Sequence, residues 1–283
     1  MTLIRLLVSD VDGTLVQPDK SLAPSTAAAA ARVQAAGMAL AIVSARPPRG
    51  MTWIAETLGL KAPLAGFNGG TLLAPDGAVI SQQVVPEDAV RMGLDLFARR
   101  GVDAWLFTAD EWLLTNPQGP RIDLERHTVR FNERVVPDLH PYAGQAGKIV
   151  GVSDDFPKLA AVEHELQEML GGAATAHRSQ QYYLDVTHPD ANKGNAVRAL
   201  AAHLGFDLQE VAVIGDMEND VPMFDVAGFA VAMGNATPAV QAKAAAVTGR
   251  NDRDGWADAV DKLILPRGHA PGTIPESTKG AAA

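Results

Sequence analysis

The sequence predicts an α/β protein: a doubly wound, parallel-sheet (Rossmann-like) core into which a second, α+β module is inserted. Three observations carry this. Near both ends of the chain, short uninterrupted apolar runs alternate with helix-length segments, the pattern of βαβ units. Those helical segments open on Pro or Ser, or close on Gly, as helix punctuation should. The middle third differs, because its helices and strands mix polar and apolar residues as half-exposed elements do.

Taken in order, residues 3–9 form an apolar, β-rich run that ends in the aspartates of DVDGTL. Residues 24–36 (PSTAAAAARVQAA) read as a helix closed by Gly37, and residues 38–43 (MALAIV) as a strand buried on both faces. A second helix covers 47–58, with Gly59 after it. In the middle, amphipathic helices are predicted at 86–100 and 156–170, with strands at 102–107, 112–115, 148–152 and 182–187. The last third returns to the first style. A helix at 193–204 ends at Gly205, strands follow at 211–214 and 227–233, and a closing helix spans 253–265. Residues 1–83 and 189–265 therefore make the core, 84–188 the inserted module, and 266–283 a Pro-, Gly-, Ser-, Thr- and Ala-rich tail expected to be loosely held.

Composition narrows the function. The 283 residues carry 33 acids against 24 bases, a net charge of −9, which argues against a nucleic-acid or anionic-membrane surface. A phosphorylated small molecule stays possible, because a pocket can be locally positive on an acidic protein. There is no cysteine, so disulfides, thiolate catalysis and Cys-type zinc sites are excluded. The seven histidines show no metal-binding spacing. No apolar run reaches the ~20 residues that span a bilayer. The N-terminal run is too short for a signal peptide and is followed by acids. The expectation is a cytoplasmic protein, a monomer or small homo-oligomer.

In an open parallel sheet, ligands bind beyond the carboxyl ends of the strands. There the sequence places Asp10, Asp12 and Gly13; then Ser44, Ala45 and Arg46; then Lys193; then Asp216, Asn219 and Asp220 of GDMEND. Convergent carboxylates repel one another and raise each other's pKa. A hard cation such as Mg²⁺ relieves this through one or two carboxylates and a substrate phosphate. An aspartate can serve as a covalent nucleophile to phosphorus, and a second as general acid and then base. Lys193 would neutralise charge, and Ser44 with loop amides would hold phosphate oxygens. Taken alone, Asp10 and Asp12 also fit a cap and a turn, and Ser44, Lys193 and Arg46 fit surface or strand-end positions. A Ca²⁺ loop does not fit, because Leu15 and Ser21 stand where that loop needs Gly and Glu.

DVDGTL resembles the first motif of the haloacid-dehalogenase-like (HAD) superfamily, Ser44 and Lys193 its second and third, and GDMEND its fourth. The insertion between the second and third motifs, with FNGG at 67–70, resembles the Cof-type branch of Mg²⁺-dependent phosphatases. The resemblance runs to about residue 265. It implies Asp10 as nucleophile and Asp12 as acid/base. It implies metal ligation by Asp10, Asp216 and the Asp12 carbonyl, with Asp220 supporting the metal and orienting Lys193. Asn219, Ser44 and the loop after Gly13 would touch phosphate, and Arg46 and Asn68 the substrate. Two departures bear on substrate fit: SAR stands for the usual TGR, through Ala45, and NGG for the usual NGA, through Gly70.

The function implied is hydrolysis of a small phosphorylated metabolite, a sugar phosphate or similar phosphomonoester, through an aspartyl-phosphate. Two alternatives stand beside it. A sugar phosphomutase or phosphotransferase would use the same intermediate shielded from water. An idle binding module would normally have lost a catalytic acid. Dehalogenation is disfavoured, because that branch lacks the second aspartate found here as Asp12.

Overall fold

The computed structural model describes residues 3–268. Its internal contacts divide the chain into two units. The first takes the described residues to Ser44, Trp53–Leu64 and the chain from Lys193 onward; the second takes Ala45–Thr52 and Ala65–Asn192.

In the first unit, the strand Leu6–Asp10 lies between two parallel neighbours, Val211–Gly215 on one side and Ala39–Val43 on the other. Phe229–Ala232 and Ala246–Val247 continue the sheet, also in parallel, beyond Val211–Gly215. All five residues of LLVSD are buried, as are all five of VAVIG, which is why these strands read as continuous runs rather than alternating ones. Register then sets the site. Asp10 pairs with Val43 and Ser9 with Ile214, so Asp10, Ser44 and Asp216 leave the sheet at one end. The helix Pro24–Ala35 opens on its proline, and the helix Lys193–Leu204 buries Ala196, Val197, Leu200 and Ala201.

The closing helix takes three forms. An α-turn, Gly255–Ala259, widens into a π-helical stretch, Val260–Ile264, and tightens into a 3₁₀ turn, Leu265–Arg267. Pro266 lacks the amide that would continue an α-helix. The chain beyond 265 is not loose at once: Ile4 N–H donates to the Arg267 carbonyl at 2.8 Å, and Ile4 bridges to Gly268. The rest of the expected tail, from residue 269, lies outside the described residues. Trp256, 1% exposed, donates its indole N–H to Ser9 Oγ at 2.9 Å, and Ser9 Oγ donates to the Asp10 carbonyl at 2.7 Å. The far end of the chain thus braces the backbone of Asp10.

The second unit is built on a six-stranded sheet. Its order is Thr175–Gln180, Tyr183–Thr187, Lys148–Val152, Asp103–Phe107, Trp112–Leu114 and Arg134–Val135. Every pair is antiparallel except the last. Side chains alternate between its faces. Leu106, Ile149, Leu184 and Val186 pack with Leu94 and Phe97 of the helix Glu87–Arg100 and with Leu159 and Val162 of the helix Phe156–Leu170. Trp105, Phe107, Trp112, Val150 and Val152 lie on the opposite face with Ile122 and Val129. Those two belong to Ile122–Val129, a short helix that the sequence pattern did not reveal, so helices pack on both faces of the sheet. The polar edge strand Thr175–Gln180 and the hairpin Thr71–Leu73 with Val79–Gln82 were also unforeseen, being short and without a sustained apolar period. Among the described residues no helix is long and apolar enough to cross a membrane.

Replacing Trp256 by Phe keeps the ring buried but removes the donor to Ser9. Urea unfolding should show a loss of about 1 kcal/mol, the usual net worth of such a hydrogen bond. Unchanged stability would mean that the indole N–H does not brace the strand.

Candidate active site

The carboxyl ends of the first unit's strands gather a buried charge cluster around Lys193. Its ammonium donates to Asp10 Oδ1 at 2.6 Å and to Asp220 Oδ1 at 2.5 Å. All three residues are at most 3% exposed. Asp220 spends its other oxygen on the backbone, with Oδ2 accepting from the N–H groups of Asp216 at 2.7 Å and Met217 at 2.9 Å. That pair of bonds folds GDMEND back on itself. It also requires glycine at 215, where an added Cβ would meet Asp220 Cγ at 2.5 Å.

Asp216 is held from both sides. Thr14 Oγ donates to its Oδ1 at 3.0 Å, and Asn235 Nδ2 donates to its Oδ2 at 3.1 Å. Asn235 Nδ2 also reaches the Gly13 carbonyl at 2.9 Å, and Asn251 N–H fixes Asn235 Oδ1 at 3.0 Å. Gly13 has φ +81°, and a Cβ there would lie 2.3 Å from Asp216 Oδ2. Glycine after DVD is therefore both a conformational and a steric requirement.

Asp12 is half-buried and forms an ion pair with Lys20, Nζ to Oδ1 at 2.7 Å. Ser44 is buried one residue beyond its strand, whereas Asn219 is exposed on the turn. The first unit thus brings Asp10, Asp216, Asp220 and Lys193 into direct contact or one shared cluster, with Asp12, Gly13, Ser44 and Asn219 on the same strand-end loops. Ala45, Arg46 and Asn68 belong to the second unit. There Arg46 is buried and donates to the Thr128 carbonyl at 2.8 Å, and Asn68 is half-buried at φ +56°.

Sequence reasoning assigned no role to Lys20, Asn235 or Asn251, and treated Thr14 only as part of its motif. A signal existed for Asn235. It follows Gly234 just past the strand Phe229–Ala232, at the end of the sheet where ligands bind. Lys20 carried none, since its reach depends on a left-handed turn with φ +66°.

The electrostatics are those of crowded acids with too little positive charge. Burial pushes Asp10 well above the ordinary carboxylate range, against the pull of Lys193; Asp220 and Asp216 push it further up. Burial and then Asp220 raise Asp216 to about 6, against the Thr14 bond. For Lys193, burial pulls the ammonium down, but Asp10 and Asp220 reverse this and leave it above the ordinary lysine value. Asp10, Asp216 and Asp220 each offer a carboxylate oxygen within 4.8 Å of the others. All-oxygen donors at that spacing suit a hard divalent cation.

A profile of the haloacid dehalogenase-like hydrolase family matches residues 7–260. An HMP-PP phosphatase of Cronobacter sakazakii is 29% identical over 239 residues, 84% of this chain and 87% of that protein. The pyridoxal phosphate phosphatase YbhA of Escherichia coli is 26% identical over 275 residues, 92% of this chain and 99% of that protein. A haloacid dehalogenase-like hydrolase from Bacteroides thetaiotaomicron has a crystal structure that superposes with a TM-score of 0.86 at 28% identity, over 92% of this chain and 99% of that one.

The raised Asp216 pKa sets a pH dependence. The folded protein holds a proton there that the unfolded chain releases at the ordinary carboxylate value of 3.8. Without metal, this group therefore weakens the fold as pH rises through about 6, and the loss is relieved on acidification. A cation must compete with that proton. Mg²⁺ should raise the thermal midpoint strongly at pH ~7.5 and much less near pH ~5. An equal shift at both values, or a full shift in Asp216→Asn, would remove these carboxylates as the metal site.

Proposed function

The chain belongs to the haloacid dehalogenase-like hydrolases, and from that premise we propose that it is a Mg²⁺-dependent phosphatase. Its substrate is a small phosphorylated metabolite, a sugar phosphate or similar phosphomonoester, and its intermediate an aspartyl-phosphate. The observation that carries the reading is the Lys193 clamp. By holding Asp10 Oδ1 at 2.6 Å, it fixes the carboxylate at the strand end and leaves Oδ2 to attack phosphorus. The phosphatase names of the relatives support the reaction class.

In the first step, Asp10 Oδ2 bonds to phosphorus as the bond to the leaving oxygen breaks, and Asp12 gives that oxygen its proton. In the second, the Asp12 carboxylate takes a proton from water. The resulting hydroxide attacks phosphorus, and the Asp10–phosphorus bond breaks to release phosphate. Lys20 Nζ, 2.7 Å from Asp12 Oδ1, helps hold the Asp12 side chain in place. Lys193 offsets the negative charge gathered on Asp10 and the transferring group. Ser44, Asn219 and the amides after Gly13 are assigned to phosphate oxygens.

Asp10, Asp216 and the Asp12 main-chain carbonyl would hold Mg²⁺, while Asp220, with both oxygens engaged, positions Lys193 and Asp216. When bound, the ion supplies positive charge that keeps the carboxylates ionised and eases approach of an anionic phosphate. The inserted module, residues 84–188, is assigned to recognition of the group that phosphate leaves.

Phosphate release from p-nitrophenyl phosphate and a panel of sugar and nucleotide phosphates tests this. Release should need Mg²⁺, vanish in chelator and fall by at least ~10³-fold in Asp10→Asn. Asp12→Ala should accumulate acid-quenched, ³²P-labelled enzyme that turns over slowly. Full activity in chelator would sink the metal requirement, and normal turnover of Asp12→Ala its acid/base role.

A further inference from the structure

Among the described residues of the first unit, two that are not glycine take a left-handed backbone: Lys20 at φ +66° and Asp254 at φ +56°. Aspartate can visit that region because its short polar side chain bonds locally; lysine has no such help. A residue in this conformation persists only where its surroundings impose it.

The turn around Lys20 does so. Lys20 N–H donates to the Gln17 carbonyl, and Gln17 N–H to the Ser21 carbonyl, each at 2.9 Å. Ser21 N–H donates to Asp19 Oδ1 at 3.0 Å. Just before the turn, Val16 is fully buried and bridges to Asp12, and its carbonyl accepts from Asn251 Nδ2 at 2.9 Å. The backbone of Lys20 is therefore fixed relative to that of Asp12.

What this achieves is aim. Lys20 Nζ donates to Asp12 Oδ1 at 2.7 Å, with the two side chains 27% and 32% exposed. An ion pair so open to water stabilises little, and by no more than a left-handed lysine costs. Glycine at 20 would follow the same turn without strain. The pair is thus a poor device for holding the fold. Strain retained without a gain in stability, beside a residue assigned to proton transfer, points to function.

The contact also distinguishes the two oxygens of Asp12. An ammonium only donates, so the oxygen it holds stays an acceptor whether or not the carboxyl carries a proton. That oxygen is Oδ1. The transferable proton then belongs on Oδ2.

We infer that Lys20 is a positioning residue, which turns Asp12 so that Oδ2 is its proton-carrying atom. This rests on the phosphatase reading and deepens it by naming the atom and what orients it. As Asp10 Oδ2 bonds to phosphorus and the bond to the leaving oxygen breaks, Asp12 Oδ2 passes its proton to that oxygen. In the second step Asp12 Oδ2 takes a proton from water, the hydroxide bonds to phosphorus, and the Asp10–phosphorus bond breaks. Lys20 acts only through Asp12.

The test turns on leaving groups. Phenyl phosphate and p-nitrophenyl phosphate are similar in shape, but p-nitrophenolate leaves readily as an anion, whereas phenolate leaves far better with a proton. Wild-type turnover of p-nitrophenyl phosphate reports on the phosphatase reading by itself; the ratio of kcat/KM for phenyl to p-nitrophenyl phosphate reports on Lys20. In Lys20→Met that ratio should fall by about fivefold or more, and Lys20→Arg, which keeps a donor, should restore most of it. Lys20→Gly should lose the ratio in the same way while melting at or above the wild-type temperature, which separates orientation of Asp12 from a folding defect. Added to Asp12→Ala, Lys20→Met should change turnover no further. An unchanged ratio in both Lys20→Met and Lys20→Gly would overturn the inference. So would a loss on adding Lys20→Met to Asp12→Ala as large as its loss in the wild type.

Discussion

A single ammonium shared between two buried carboxylates governs the strand-end cluster of the first unit. Lys193 could not lie at 2% exposure without counter-charge, and neither could Asp10 or Asp220. Each makes the others tolerable, and the geometry follows from their mutual need. Asp220 must turn inward to reach Lys193, so its second oxygen meets the amides of Asp216 and Met217 and closes the turn. That closure leaves no room for a side chain at 215. It also carries Asp216 next to Gly13, where again no side chain fits. Two motifs about 200 residues apart are thus interlocked through one lysine from a third.

The cluster is not balanced. Three carboxylates share one buried cation, and burial raises the pKa of both Asp10 and Asp216. A site meant only to hold the fold together would gain by losing one of these acids. Retaining all three makes sense where further positive charge arrives from outside. The second unit buries a charge cluster that contrasts with this. Arg46 and Lys148 oppose Glu125 and Asp185, so positive and negative groups are equal in number, and its deficit is one hydrogen-bond donor rather than charge. The first arrangement is short of positive charge and the second is not.

Much of this was legible in the sequence, for physical reasons. The parallel strands of the first unit are buried on both faces, so they read as plain apolar runs that end in polar loops. Asp10, Ser44 and Asp216 could be placed at one end of the sheet from those endings alone. Lys193 and Asp220 were paired only through the resemblance of their motifs to the haloacid-dehalogenase-like family. What stayed hidden depends on backbone turns and on faces. Lys20 reaches Asp12 only from a left-handed turn, and Asn235 reaches Asp216 across a loop after a different strand. The helix Ile122–Val129 is eight residues long, too short for a periodic pattern to stand out. Asp185 sits within an otherwise buried strand, and its partner Lys148 lies on a neighbouring strand, so nothing local in the sequence pairs them.

The two departures from the family pattern can be weighed on the same grounds. Alanine in place of glycine at 45 matters only if the backbone there needs a left-handed conformation, and Ala45 is not among the residues with positive φ. Its carbonyl, which any residue would supply, is what Lys148 binds. At 70 the chain has glycine where alanine is usual. That residue is helical, with φ −63°, and an added Cβ would find its nearest neighbour, the Phe67 carbonyl, at 3.3 Å, a tight but tolerable contact. Neither change forces the backbone elsewhere. The left-handed conformation in this stretch falls instead on Phe67 and Asn68, at φ +51° and +56°. Phe67 is fully buried, and the absence of a side chain at Gly147 is what admits its ring, since a Cβ there would lie 2.4 Å from it. The packing of one aromatic residue against a distant glycine, rather than the residue after Asn68, therefore fixes how the FNGG turn presents its asparagine.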